Sequence, residues 1–179
     1  MDWAPRPVGS SHCTMSEIVL PNDTNSLGNL MGGRLLHWMD ICAAISAQRH
    51  TGRVCVTASV DTVDFRSAIR QGEIVVLESQ VNRAFRTSME IEINVWAESP
   101  ATLTRRRCNQ AYYTFVAIDD RGRPQQVPPV AASSEEERSR YDGAGRRREL
   151  RLLLAGRIPP GKAKGIADLL CGPTASDGD

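Results

Sequence analysis

Neither a Cys-x-x-Cys pair nor a histidine at ligand spacing accompanies the five cysteines of this chain, at positions 13, 42, 55, 108 and 171. A zinc site and a disulfide scaffold are therefore both excluded as the organising principle, and a reducing, cytoplasmic setting is expected. No segment reaches the roughly eighteen consecutive apolar residues of a membrane-spanning helix. The stretch from Met1 to Thr14 holds one early Arg6 but no apolar core of about seven residues, so no secretory signal is expected there. Charge of one sign is lacking too: the formal net charge is +1, which gives no overall pull toward nucleic acid or an anionic membrane. What is present is 179 residues with 41% hydrophobic content, enough for one domain with a real core.

Composition divides the chain into three parts. Residues 1–15 carry Pro5, Pro7, Gly9, Ser10 and Ser11 and are expected to be a disordered extension. Residues 16–130 read as the folded domain. Residues 131–179 shift to Glu135-Glu136-Glu137, then Arg146-Arg147-Arg148, then Pro159-Pro160-Gly161, the pattern of a charged, partly helical C-terminal extension.

Within the folded part, Asp23-Thr24-Asn25 and Gly28 read as a loop, and Gly32-Gly33 opens a segment with no further Gly or Pro until Gly52. Leu35, Leu36, Met39, Ile41, Cys42, Ala43, Ala44, Ile45 and Ala47 leave that helix little polar face, which predicts a core helix buried nearly all round. Strand-like runs follow at Val54–Val60, Glu73–Val81, Ser88–Trp96 and Arg107–Ile118, with a hairpin expected around Asn82-Arg83-Ala84-Phe85 and a turn at Asp119-Asp120-Arg121-Gly122. An all-round apolar helix followed by four or five antiparallel strands loses its water only if the sheet curls around it. The expected class is α+β, a curved antiparallel sheet wrapped on one long central helix with a helical tail.

Asp40 stands out in the middle of that helix. Its neighbours at helical spacing are Leu36, His37, Ala43 and Ala44, none of which offers a countercharge of fixed sign. An ionised carboxylate taken out of water without a partner costs on the order of several kcal/mol. Chains tolerate that mainly where the acid does chemistry.

The run from Pro21 to Asp40 holds Asn25, Gly28, Gly32-Gly33 and Asp40 in order. Val56-Thr57-Ala58-Ser59-Val60-Asp61, Phe65-Arg66, Arg86-Thr87-Ser88-Met89-Glu90 and Phe115-Val116-Ala117-Ile118-Asp119 follow it. Together these motifs resemble the signature of the hotdog-fold acyl-CoA thioesterases, in the acyl-CoA hydrolase branch that includes YciA-like and brain-type enzymes. The resemblance covers residues 16–130, and more loosely 138–152. It implies a single hotdog fold and hydrolysis of acyl-CoA to free acid and CoA, with no metal or organic cofactor. It also implies a homodimer at least, with trimers of dimers common among relatives, and neither nucleic acid nor membrane as partner.

The resemblance makes Asp40 the catalytic carboxylate, either general base or nucleophile, and Asn25 of the other subunit the amide that holds the water or the carbonyl. Gly32 and Gly33 at the helix start would present open backbone N–H groups as an oxyanion site, although two glycines also allow close packing of loop on helix. Arg86, Thr87 and Ser88 match a segment near the pantetheine and nucleotide, and Val56 and Thr57 border the pantetheine arm. His37 and His50 fall in no matching motif, and His50 is expected as a cation suited to the helix C-terminus. Arg146, Arg147, Arg148 and Arg151 could reach the CoA phosphates, but Glu135–Glu137 and Glu149 favour a self-compensated helix. Two other readings stay open: a non-catalytic acyl-CoA sensor, and a hotdog dehydratase or hydratase.

Overall fold

The computed structural model describes residues 4–65, 67–159 and 162–163. It divides into two compact units, Met1–Ala132 and Ser133–Asp179. The first contains β1 (Arg6–Pro7), β2 (Cys13–Ile18), α1 (Gly32–Thr51), β3 (Cys55–Val60), β4 (Ile74–Ala84), β5 (Ser88–Ser99), β6 (Thr104–Ala117) and β7 (Val130–Ala131). Five strands form one antiparallel sheet in the order β2-β4-β5-β6-β3, and β1 pairs with β7 in parallel. Helix α1 touches all five strands of the sheet, which curls around it as the hotdog resemblance implies.

Period two along β5 explains why the sheet has one apolar and one largely polar face. Met89, Ile91, Ile93, Val95 and Ala97 are fully buried on the inner side, while Ser88, Glu90, Glu92, Asn94 and Trp96 alternate with them on the outer side. Against the inner face α1 packs Leu35, Trp38, Met39, Cys42, Ala43, Ser46 and Ala47, spaced by three and four residues. Each large side chain buried this way stabilises the fold by about 1.5–3 kcal/mol. Gly52, at φ 66°, adopts the left-handed conformation that closes the helix, its N–H donating to Gln48 C=O at 2.7 Å.

Four expectations change. The helix is not buried all round: Gly33, Arg34, His37, Ile41, Gln48 and Arg49 are exposed, because a sheet curled on one side covers only one face of a cylinder. The hairpin turn lies later than its polar residues suggested. Strand β4 runs on to Ala84 past a bulge between Val81 and Arg83, and the turn is closed by Phe85 N–H on Ser88 C=O at 2.7 Å.

Residues 6–15 are not a disordered extension. Cys13–Ile18 pair with Ser79–Ile74 at a sheet edge, Arg6 donates to His50 C=O at 2.8 Å, and the fully buried Ser11 hydroxyl accepts from Val81 N–H at 3.0 Å. Backbone pairing and one serine satisfy what composition alone counts as polar chain.

His50, finally, is a buried neutral side chain and not an exposed cation. Its Nε2–H donates to Pro128 C=O at 2.9 Å, and burial, with Arg6 nearby, holds its pKa below the ordinary 6.5. A histidine that resists protonation when folded contributes stability above the unfolded value, and that stability drains away as pH falls through it. The slope is up to about 1.4 kcal/mol per pH unit until the folded value is reached. Urea midpoints measured from pH 7.5 to 5 should fall for the wild type and stay flatter for His50→Gln; equal slopes would rule this out.

In the second unit, α2 (Glu135–Leu154) starts at a capping box in which Ser134 accepts from Glu137 N–H at 3.1 Å and Glu137 accepts from Ser134 N–H at 3.2 Å. The remainder of the expected tail, from 164 onward, lies outside the described residues. Among the described residues no helix is long and apolar enough to cross a membrane.

Candidate active site

The loop ahead of α1 is tied down by one buried acid. Asp23 takes Leu20 N–H at 3.1 Å and Arg34 Nε at 2.7 Å, and its own C=O accepts Met31 N–H at 2.9 Å. This holds the loop against the helix start. Within it Asn25 Oδ1 accepts from Leu27 N–H (2.9 Å) and Asn29 N–H (3.2 Å), and Gly28, at φ 72°, lets the chain turn back. Asn25 is thus a turn residue whose carbonyl is committed to the loop. Its exposed amide NH2 is the end left to a ligand.

Helix α1 begins without a side-chain cap. Met31 C=O takes Arg34 and Leu35 N–H, and Met31 N–H goes to Asp23, which leaves the N–H groups of Gly32 and Gly33 without a partner among the described residues. A Cβ at Gly33 would meet nothing, whereas one at Gly32 would lie 3.3 Å from the Phe65 ring. The two glycines differ: Gly32 packs closely on Phe65, and Gly33 stands open. A groove of about 360 Å³ runs here, with Asn25, Asn29, Gly32 and Ser67 along it. Its other walls are Leu30, Leu35, Phe65, Ala68 and Ile69.

Asp40 lies eight residues further along α1, about 12 Å up the axis from Gly32 at ~1.5 Å per residue, and does not line that groove. It is half-buried. The partner that its helical neighbours could not supply comes from across the fold: Thr57, on β3, donates its hydroxyl to Asp40 Oδ1 at 2.5 Å. The resemblance puts Thr57 along the pantetheine arm; its hydroxyl is directed to the Asp40 carboxylate. Tyr113 of β6 is close enough that its phenol is pushed up to about 12, first by burial and then by the Asp40 charge. Nothing local in the sequence announces Tyr113, which reads as one more inward residue of an alternating strand.

Val56, Val116 and Ser88 occupy one row across β3, β6 and β5, so the expected substrate segments do share one end of the sheet. Arg86 is exposed at the β4–β5 turn, and the backbone carbonyls of Arg86 and Thr87 accept from Val127 and Ala117 N–H. The candidate residues therefore fall in two places: Asn25 and Gly32 along the groove with Gly33 beside it, and Asp40 with Thr57 near the edge strand. Among the described residues no group of three or more His, Cys, Asp or Glu side chains gathers as a metal site.

The thioesterase superfamily profile matches residues 27–104. An uncharacterised acyl-CoA thioester hydrolase of Bacillus subtilis, YkhA, is 44% identical over 119 residues, which is 66% of this chain and 69% of that protein. The chain belongs to the thioesterase superfamily.

Acyl-coenzyme A thioesterase 11 of mouse is 40% identical over 146 residues, 80% of this chain but 24% of that protein. This superfamily member thus spans about a quarter of the length of that protein and of the acetyl-coenzyme A thioesterase of mouse. A hexameric acyl-CoA thioesterase solved in its apo form superimposes with a TM-score of 0.82 at 38% identity, covering 85% of this chain and 97% of that one. An acyl-CoA hydrolase of Staphylococcus aureus solved with butyryl coenzyme A and coenzyme A gives 0.77 at 34% identity, covering 93% and 98%. The same hydrolase has been solved as alanine variants of an asparagine, an aspartate fifteen residues later and a threonine seventeen residues beyond that. Those are the spacings from Asn25 to Asp40 to Thr57.

Proposed function

We propose that this chain is an acyl-CoA thioesterase whose active sites are each completed by two copies of it. The observation that carries the reading is the separation of the half-sites. An acyl carbonyl held at the Gly32–Gly33 amides is about 12 Å along the helix from Asp40 of the same chain, too far for attack, so the carboxylate has to come from a second copy. The edge strand β3 supports that pairing, since it ends the sheet with Val56 and Val60 exposed and Thr57 holding Asp40 beside it. Further association of such dimers into trimers of dimers follows the hexameric relative.

In this reading Asp40, with Oδ1 engaged by Thr57, uses Oδ2. As general base it takes a proton from water while the water oxygen attacks the thioester carbonyl. As nucleophile it attacks the carbonyl itself and the resulting anhydride is then hydrolysed. Either way the oxyanion forms against the Gly33 and Gly32 N–H groups, Asn25 NH2 orients the carbonyl or the water, and the CoA thiolate leaves and is reprotonated. Arg86 at the β4–β5 turn serves the CoA phosphates, and Val56, Thr87 and Ser88 border the pantetheine. No metal or organic cofactor enters these steps. The four described cysteines, all buried and free, support a cytoplasmic setting.

Free-thiol release over a series from acetyl-CoA to palmitoyl-CoA tests the proposal. A thioesterase yields one thiol per thioester lost, a sensor binds without release, and a dehydratase or hydratase changes enoyl absorbance with the thioester intact. The last reading has little support, because the buried His50 already spends its Nε2 on Pro128.

A further inference from the structure

Between β3 and β4 the chain is fastened to β6 on both sides of one aromatic ring. Before it, Asn109 Nδ2 donates to Asp64 C=O. After it, Arg106 reaches Ser67 Oγ at 3.3 Å and Ala68 C=O at 2.8 Å, and is itself gripped by both oxygens of Glu73 at 2.6 and 2.8 Å. That pairing holds the Glu73 carboxyl below its ordinary range. The side chain so presented is Phe65, which remains 52% exposed despite its clamped surroundings and whose ring atoms come within 3.3–3.6 Å of where a Cβ on Gly32 would be. An aromatic ring is thus set, by polar anchors it does not share, against the helix start and along the groove that also contains Asn25.

We propose that Phe65 is the specificity-determining wall of the acyl pocket, limiting it to short and medium straight chains; this rests on the thioesterase reading above. The groove chemistry fits an alkyl chain. Leu30, Leu35, Ala68 and Ile69 are apolar, and the Ser67 hydroxyl is already engaged by Arg106. Asn25 and Asn29 are the other polar side chains along the groove, so a pantetheine arm would leave part of its amide hydrogen-bonding capacity unpaired against the remaining walls, at a cost. A volume of about 360 Å³ is at the small end of the ~300–1,000 Å³ of ligand pockets. Phe65 is the bulkiest side chain bounding it, so its removal lengthens the space beyond the carbonyl while removing contacts that a short chain uses.

The test is the ratio of kcat/KM for palmitoyl-CoA to that for butyryl-CoA, in wild type, Phe65→Ala, Phe65→Leu and Phe65→Trp. The ratio should rise at least about tenfold in the alanine variant, rise less with leucine, and fall with tryptophan, as expected when a hydrophobic pocket gains or loses a few methylenes of space. A loss of activity equal for both substrates would show a merely structural role and overturn the proposal, as would an unchanged ratio in all three variants. Should Phe65→Ala fail to fold, the leucine and tryptophan variants still decide, because they move the ratio in opposite directions. The two readings fail differently: a wild type that releases thiol from no acyl-CoA sinks the thioesterase assignment, and an active wild type with a fixed ratio sinks only the role of Phe65.

Discussion

Asp40→Asn is expected to lower thioester turnover by about a thousandfold while the protein keeps its fold and its oligomeric state. Asparagine has the same shape, and its carbonyl oxygen can still accept the 2.5 Å bond from Thr57, so the contact between α1 and β3 survives. What it cannot do is take a proton from water or attack a carbonyl. General-base and nucleophilic steps of this kind are worth about 10²–10⁴ in rate. Because only the transition state uses that oxygen, kcat should fall with little change in KM. Circular dichroism and size-exclusion profiles matching the wild type, together with steady-state kinetics on one good acyl-CoA, make the measurement. A variant retaining more than a tenth of the wild-type kcat would remove Asp40 from the chemistry.

The second large effect is a gain. Asn25→Ala and Asp40→Asn chains, each nearly inactive alone, should recover about a quarter of wild-type activity when unfolded together in equal amounts and refolded. The number follows from symmetry: in a two-fold dimer half of the random pairs are mixed, and each mixed pair has one site with both residues intact and one with neither. Recovery requires that Asn25 and Asp40 act from different chains, as the proposal has it from the ~12 Å along α1 between Gly32, which lines the groove with Asn25, and Asp40. If the mixture stays at the sum of its parts although mixed dimers are present by mass spectrometry, the shared site would be falsified.

The helix, the four long strands and the loop-helix junction were legible from period and punctuation, because Gly52, Asp119–Gly122 and the alternation of β5 are local signals. The strand at Cys13–Ile18 was not. Half of it is polar, and its place depends on the Ser79–Ile74 edge of β4 being open to receive it. His50 was misjudged for the same kind of reason: its sequence neighbours, Arg49 and the helix end, say cation, whereas Pro128 and the buried surroundings that neutralise it lie far along the chain. Asp40 was recognised as anomalous from its neighbours alone, yet its relief by Thr57 and its effect on Tyr113 come from β3 and β6.

By itself, then, the order of residues determined which segments become helix and strand, that a lone acid sits in an apolar helix, and that two glycines open that helix without a cap. Those properties depend on neighbours within a turn or two, where sterics and period decide. Only tertiary structure decided which hydroxyl faces Asp40, that Phe65 packs against Gly32, and that Asp40 stands apart from the groove lined by Asn25 and Gly32. Such pairings depend on strands curling around one face of a helix, and an interaction across that curl has no period for a linear pattern to show.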